Sequence, residues 1–198
     1  MSRKAVIVVN AVILALEVIA LIHDIYAFGT GLFVWYTVDS NVLQLVVSAL
    51  VLYFVLNGKQ IPEGVTKMHF VSAVGLTVTF LIAAFVLAPE GGIKYYFLSD
   101  VAPINHFIGP LLSVISLVFL EKTNKLPIRT VILPALVTLI YGIICLILNG
   151  LGVIDGPYFF LKINEVAAGV IIMWFVIIAV LCVGFSLLYY IAKWRKRG

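Results

Sequence analysis

Residues 36–57 read YTVDSNVLQLVVSALVLYFVLN. Most of this stretch is an apolar run of the length a helix needs to cross the hydrocarbon core of a bilayer, roughly 20 residues. Its entrance is different: Tyr36, Thr37, Asp39, Ser40, Asn41 and Gln44 place six polar or hydroxyl-bearing side chains within nine residues. A segment that only anchored the chain would carry leucine and valine there. Polar groups in hydrocarbon need partners, so this entrance is expected to face other helices or a pocket.

Outward from this stretch the chain is a series of similar apolar runs, at about 5–28, 38–57, 67–88, 102–120, 130–150 and 164–192. Backbone groups in lipid must be satisfied within the segment, so each run is expected to be a continuous helix. The first contains Glu17 and Asp24, is too long for the core of a signal peptide, and is followed by no small-residue cleavage site. The predicted fold is therefore all-α: a single domain over residues 1–198, built as one bundle of six transmembrane helices. Composition agrees, since 64% of the 198 residues are hydrophobic and only 11% are charged, with a mean hydropathy of +1.21. That share is far above a soluble domain.

The formal charge of +4 raises nucleic acid as a partner, but the basic residues sit at the ends of apolar runs and form no surface patch, which excludes it. Eleven of the thirteen lysines and arginines fall at the N-terminus, between spans two and three, between spans four and five, or at the C-terminus; Lys94 and Lys162 alone lie on the other side. The positive-inside rule then predicts both termini in the cytoplasm. The three outward connections are aromatic-rich, with Phe33, Trp35 and Tyr36, then Tyr95, Tyr96 and Phe97, then Tyr158, Phe159 and Phe160. Such residues form an interfacial belt or cap the mouth of a pocket for an amphiphile. Short loops and compact length point to a bacterial inner membrane.

Within the spans, Thr37, Asn41, Gln44 and Ser48 share one helical stripe. Asn10, Glu17 and Asp24 recur at seven-residue intervals on the first span, with His23 beside the last. Ser72, Gly75 and Thr79 on span three, and Thr138, Gly142, Cys145 and Asn149 on span five, suit close helix packing. Cys145 and Cys182 lie inside apolar runs and read as small hydrophobes. His69 is expected at the cytoplasmic interface. His106 opens span four at the depth of Thr37, and a hydroxyl beside an imidazole is the minimal nucleophile and base pair of acyl transfer. Scattered histidines without a repeated carboxylate spacing indicate no metal site, and no cofactor is implied.

At these residues the chain resembles the androgen-induced and androgen-dependent TFPI-regulating proteins and their six-span bacterial relatives. The resemblance rests on Tyr36-Thr37-Val38-Asp39-Ser40-Asn41-Val42-Leu43, on His106 with Pro110 one turn later, on Pro134 followed by Tyr141, and on the run from Gly156 to Leu161. It implies an intramembrane hydrolase of fatty acid esters of hydroxy fatty acids, or similar lipid esters, acting at the outer leaflet among membrane lipids. Thr37 would be the nucleophile and His106 the base. Asn41 is the side-chain candidate for an oxyanion donor, with free backbone amides at the start of span two. Asp24, Asp39 and Asp100 are all open as the carboxylate that orients His106. Tyr36, Gln44, Ser48, Asn105 and Tyr141 are pocket candidates. Two other readings stand beside this one: a transporter or channel for protons, ions or small molecules built around Glu17, and a non-enzymatic membrane scaffold.

Overall fold

The structure, a computed structural model, describes residues 2–195; Lys196 and Arg197, part of the charge asymmetry above, lie outside the described residues. All regular structure among the described residues is helical. Helix α1 (Arg3–Phe28) starts where the Ser2 hydroxyl accepts from the Lys4 amide at 3.2 Å and stops at Gly29, whose φ of 64° suits glycine. After a 3-10 turn follow α2 (Tyr36–Leu56) and α3 (Glu63–Gly91). A short α4 (Ile93–Phe97) precedes α5 (Ile104–Leu120), then α6 (Ile128–Gly150) and α7 (Ala168–Trp194).

Helices α1, α2, α3, α6 and α7 are each long and apolar enough to cross a membrane, and α5 is a shorter apolar helix. The expected runs therefore match the observed helices, with three shifted ends. Helix α3 begins earlier because Pro62 sets its N-cap and Glu63 pairs with Lys67 across the first turn at 2.6 Å. Helix α3 also runs on to Gly91, past the expected end at 88. Helix α7 starts at Ala168, because residues 162–167 turn before the helix begins.

Helix α3 sits in the middle and packs against α2, α5, α6 and α7. Small residues on α3 and α6 explain how their neighbours come so close. A Cβ at Gly75 would lie 2.7 Å from the Tyr36 hydroxyl oxygen, and one at Gly142 would lie 2.9 Å from the Phe175 ring. Ser72 and Thr79 bond across to Gln44 and Ser40. On α1, the spacing of Val6, Asn10, Ile13, Glu17, Ala20 and Asp24 puts all six on one buried face.

At the lysine-rich end, long basic side chains close helix C-termini. Arg3 donates to the Val55 and Leu56 carbonyls at 3.1 and 3.0 Å, and Lys193 donates to the Leu117 and Glu121 carbonyls. A cation there meets both the orphan carbonyls and the negative end of the helix dipole. Replacing buried Lys193 by Met is expected to lower the melting temperature in detergent, by about 2 kcal/mol of stability if a charged hydrogen bond is lost. Exposed Arg195→Gln serves as the control, and equal melting temperatures would remove Lys193 from this role.

Candidate active site

A helix start leaves backbone amides without intrahelical partners. Trp35 is the N-cap of α2 and offers no side-chain cap; its carbonyl takes the Val38 and Asp39 amides, and the start of the helix meets tyrosines. The Tyr141 hydroxyl accepts from the Tyr36 amide at 3.1 Å and donates to the Val34 carbonyl at 2.7 Å. Tyr158 brings its hydroxyl against the Thr37 side chain and the Tyr36 and Thr37 backbone. The Tyr36 ring turns the other way, its hydroxyl 2.7 Å from Thr138 Oγ1 between α3 and α6. Thr37, in the first turn, is half-buried.

Thr37 lines a cavity of about 310 Å³ at the aromatic end of the bundle, together with His106, Asp24, Asn105, Tyr96 and Tyr158. Trp35, Phe28 and Tyr95 complete much of its wall. The aromatic connections thus do more than mark an interface: each of the three contributes to this wall. No lysine or arginine lines it.

His106 stands in the π-turned opening of α5, Ile104–Ile108. Such wide turns recur at functional sites. The ring donates from Nδ1 to the Ala102 carbonyl at 3.2 Å, touches the Tyr96 backbone, and packs edge-on against Tyr96 and Phe97. Thr37 and His106 share the cavity, and among the described residues no hydrogen bond joins them. Of the three carboxylates considered for orienting the imidazole, Asp24 and Asp100 line the cavity with it. Asp24 is itself held by Asn105 Nδ2 at 2.8 Å and by His23 at 3.3 Å. Asp100 lines the cavity from a residue with φ of 46°, a left-handed conformation that aspartate tolerates better than most. Asp39 lies outside the cavity wall, half-buried in the first turn of α2, where its charge favours the helix N-terminus.

Three expectations need correction. Asn41 is not a donor to the cavity: its Nδ2 group donates to the Thr37 carbonyl at 2.8 Å and the Asn105 carbonyl at 3.2 Å, so both amide hydrogens are taken. The first-turn amides of α2 are not free either: that of Tyr36 donates to Tyr141, and those of Val38 and Asp39 donate to the Trp35 carbonyl. Gln44 and Ser48 do not line the cavity; they belong to a buried polar cluster nearer the lysine-rich end. There the Gln44 amide donates to Ser48 Oγ at 3.0 Å and faces His69 Nε2 at 3.5 Å, while its oxygen accepts from Ser72 and Ser113, both at 2.7 Å.

His69 is the clearest reversal. Expected at an interface, it is 0% exposed and donates from Nδ1 to Glu121, whose carboxylate oxygens lie 3.0 and 3.1 Å away. Ser116 donates to Glu121 at 2.7 Å and accepts from Asn10 at 2.7 Å. Ser113, 3.4 Å from His69 Nε2, completes a serine, histidine, glutamate order. It has no reactive geometry, because Ser113 spends its proton on Gln44 and all three side chains are closed off. A signal was present in the sequence: His69 lies one turn from Ser72, on the polar face of α3.

Tyr158 is the residue that sequence reasoning missed. The linear pattern groups it with the aromatic connections, and nothing there tells that its hydroxyl ends beside Thr37. Burial pushes its phenol up to about 12, against the opposing effect of the Thr37 hydrogen bond, so at neutral pH it is an intact O–H. No family model matches the chain, and neither does any curated protein or solved structure.

Proposed function

We propose that the protein is an intramembrane lipid-ester hydrolase whose nucleophile is Thr37 and whose base is His106. The observation that carries this reading is the shared cavity: hydroxyl, imidazole, phenol and carboxylate converge in one aromatic-walled space at the end of an apolar bundle. In this reading α5 joins the five long helices as a sixth crossing. Its 17 residues reach only about 26 Å, and a short helix under the cavity leaves the site at the depth of the ester groups of lipids. Both termini lie in the cytoplasm, on the side of most basic residues, and the cavity faces the outer leaflet of a bacterial plasma membrane. An acyl chain then stays in hydrocarbon while its carbonyl reaches the polar groups. The substrate class is fatty acid esters of hydroxy fatty acids or similar lipid esters.

In the first step His106 removes the Thr37 hydroxyl proton as the oxygen attacks the ester carbonyl carbon. The tetrahedral oxygen sits at the start of α2, where the helix dipole is positive, and takes a hydrogen bond from Tyr158. Collapse expels the alcohol, which leaves with the proton from His106, and the acyl group remains on Thr37. Water then attacks the acyl-threonine while His106 takes its proton, and the free acid departs with Thr37 restored. In this reading Asp24, which lines the same cavity from α1, offsets the positive charge the imidazole gains in each half-reaction.

Turnover tests the reading. Detergent-purified protein is given fatty acid esters of hydroxy fatty acids beside simple long-chain esters, and free acid is measured. Wild type should release acid, and His106→Ala should do so about a hundredfold or more slowly, the usual contribution of a positioned acid–base group. Absence of turnover on every ester, or equal rates for the variant, overturns it. Tyr158→Phe keeps the ring and removes only the hydroxyl. Its expected result is a fall in kcat of about a hundredfold, the size typical of one lost oxyanion donor, with KM little changed. An unchanged kcat would leave Tyr158 as a cap on α2 and nothing more.

A further inference from the structure

Directly beneath the cavity, between α1, α2 and α5, lies a chamber of about 10 Å³ lined by Glu17, Asp24, Asn41, Asn105, Leu21 and Val38. It shares Asp24, Val38 and Asn105 with the larger cavity above. Glu17 is 2% exposed, and neither of its carboxylate oxygens has a hydrogen-bond partner. The Asn41 side-chain oxygen is likewise buried and unpartnered. Its orientation is not free to change, because the amide nitrogen is tied to the Thr37 and Asn105 carbonyls at 2.8 and 3.2 Å. The Asn41 oxygen is therefore forced toward Glu17. Both approach one point over Gly109, 2.6 Å for Glu17 Oε1 and 3.4 Å for Asn41 Oδ1 from where a Cβ would stand.

Three acceptors and no donor in an apolar bundle is a costly arrangement unless something positive joins them. A water molecule would offer two hydrogens and leave the carboxylate charge uncompensated. A proton on Glu17 would bridge one pair of oxygens and leave the third unpartnered. A small hard cation takes all three oxygens at once. No lysine or arginine lines either cavity, and the charged or titratable neighbours are Asp24 and, in the upper cavity, His23, His106 and Asp100. Asp24 already has partners on both oxygens, Asn105 on one and His23 on the other. Glu17 is then the carboxylate left without any partner, and one monovalent cation matches its own charge. Among the described residues no group of three His, Cys, Asp or Glu side chains gathers as a divalent or transition metal would require.

We propose that Glu17 and Asn41 form a binding site for a monovalent hard cation of the sodium class, reached from the aromatic-walled cavity past Asp24 and Asn105. Gly109 is part of the design, because any side chain there would intrude on the Glu17 oxygen. The ion would fix α1 to α2 and α5 below the cavity floor. This inference does not depend on ester hydrolysis and is read by binding alone.

The experiment uses the full chain in detergent. Binding of radioactive sodium and the melting temperature are followed in sodium, potassium and choline chloride at matched ionic strength and fixed pH. Wild type should bind sodium saturably at one ion per chain, and its melting temperature should rise with the logarithm of sodium concentration and not with choline. Glu17→Gln, close in shape and neutral, should lose both responses. Gly109→Ala should lose them by intrusion while retaining Glu17. Equal behaviour of wild type in sodium and choline, with a melting temperature that follows pH alone, would mean that Glu17 holds a proton and would overturn the proposal. So would a Glu17→Gln protein that still binds sodium.

Discussion

Thr37→Val should cut ester hydrolysis by about a thousandfold or more, to the level left by binding and the remaining polar groups. Valine keeps the branched shape and removes only the hydroxyl, so the first turn of α2 should persist. Thr37→Ser keeps the hydroxyl and should keep much of the rate. The pair of variants separates chemistry from packing: if the hydroxyl matters only as a partner for Tyr158, then Thr37→Val and Tyr158→Phe should show equal, modest losses. A covalent readout makes the claim stronger. Rapid quenching of wild type with a slowly hydrolysed ester should leave an acyl group on the peptide containing Thr37, and Thr37→Val should carry none. Hydrolysis surviving Thr37→Val at the wild-type rate would end the threonine mechanism. Since the Thr37 carbonyl also holds Asn41, the melting temperature of each variant should be measured beside its rate.

Much of this architecture is legible in the sequence because hydrocarbon imposes strict terms. Each apolar run must be a helix, so the segments and most of their ends could be read directly. Side-chain spacing fixed which residues share a face: Asn10, Glu17 and Asp24 all lie on the buried side of α1. What spacing does not give is the rotation and depth of one helix against another. Thr37, Asn41, Gln44 and Ser48 share a stripe, yet Thr37 lines a cavity and Gln44 is sealed in a polar cluster. Two turns of depth, about 10 Å, decided which was which.

The site shows the same division. Thr37 and His106 could be paired by depth alone, since both open their helices at the same end. Tyr158 could not, because its place depends on how residues 151–167 fold back across the bundle, and that connection has no periodicity to read. The role expected of Asn41 failed for a local reason: amide hydrogens on a buried helix go first to nearby carbonyls, here those of Thr37 and Asn105. Glu121 gives no signal of its burial, because it follows the end of α5 and is flanked by Lys122 and Thr123, a pattern that reads as a solvated loop. Its burial follows from Lys193 and His69 meeting it from α7 and α3.

That burial sets the largest expected effect on stability. Removing one partner of a buried, hydrogen-bonded carboxylate contact strands the other away from water, and the usual cost is about 3–5 kcal/mol. Glu121→Ala should therefore lower the melting temperature in detergent more than any exposed substitution, and His69→Ala should follow it closely. Both are 1% exposed or less, so no water can replace the lost partner without opening the helix contacts. Glu121→Gln should be milder, because its oxygen can still accept from His69 or Ser116. The double variant His69→Ala with Glu121→Ala should cost less than the two singles together, since neither partner is then stranded; a coupling of about 1–3 kcal/mol is the expected size for groups in direct contact. Strict additivity would mean that the two side chains stabilise the bundle separately, through packing. The cluster also predicts where the loss is felt: Ser116 and Asn10 hang from Glu121, so Glu121→Ala should loosen α1 against α5, and hydrogen exchange should rise there before it rises around Thr37.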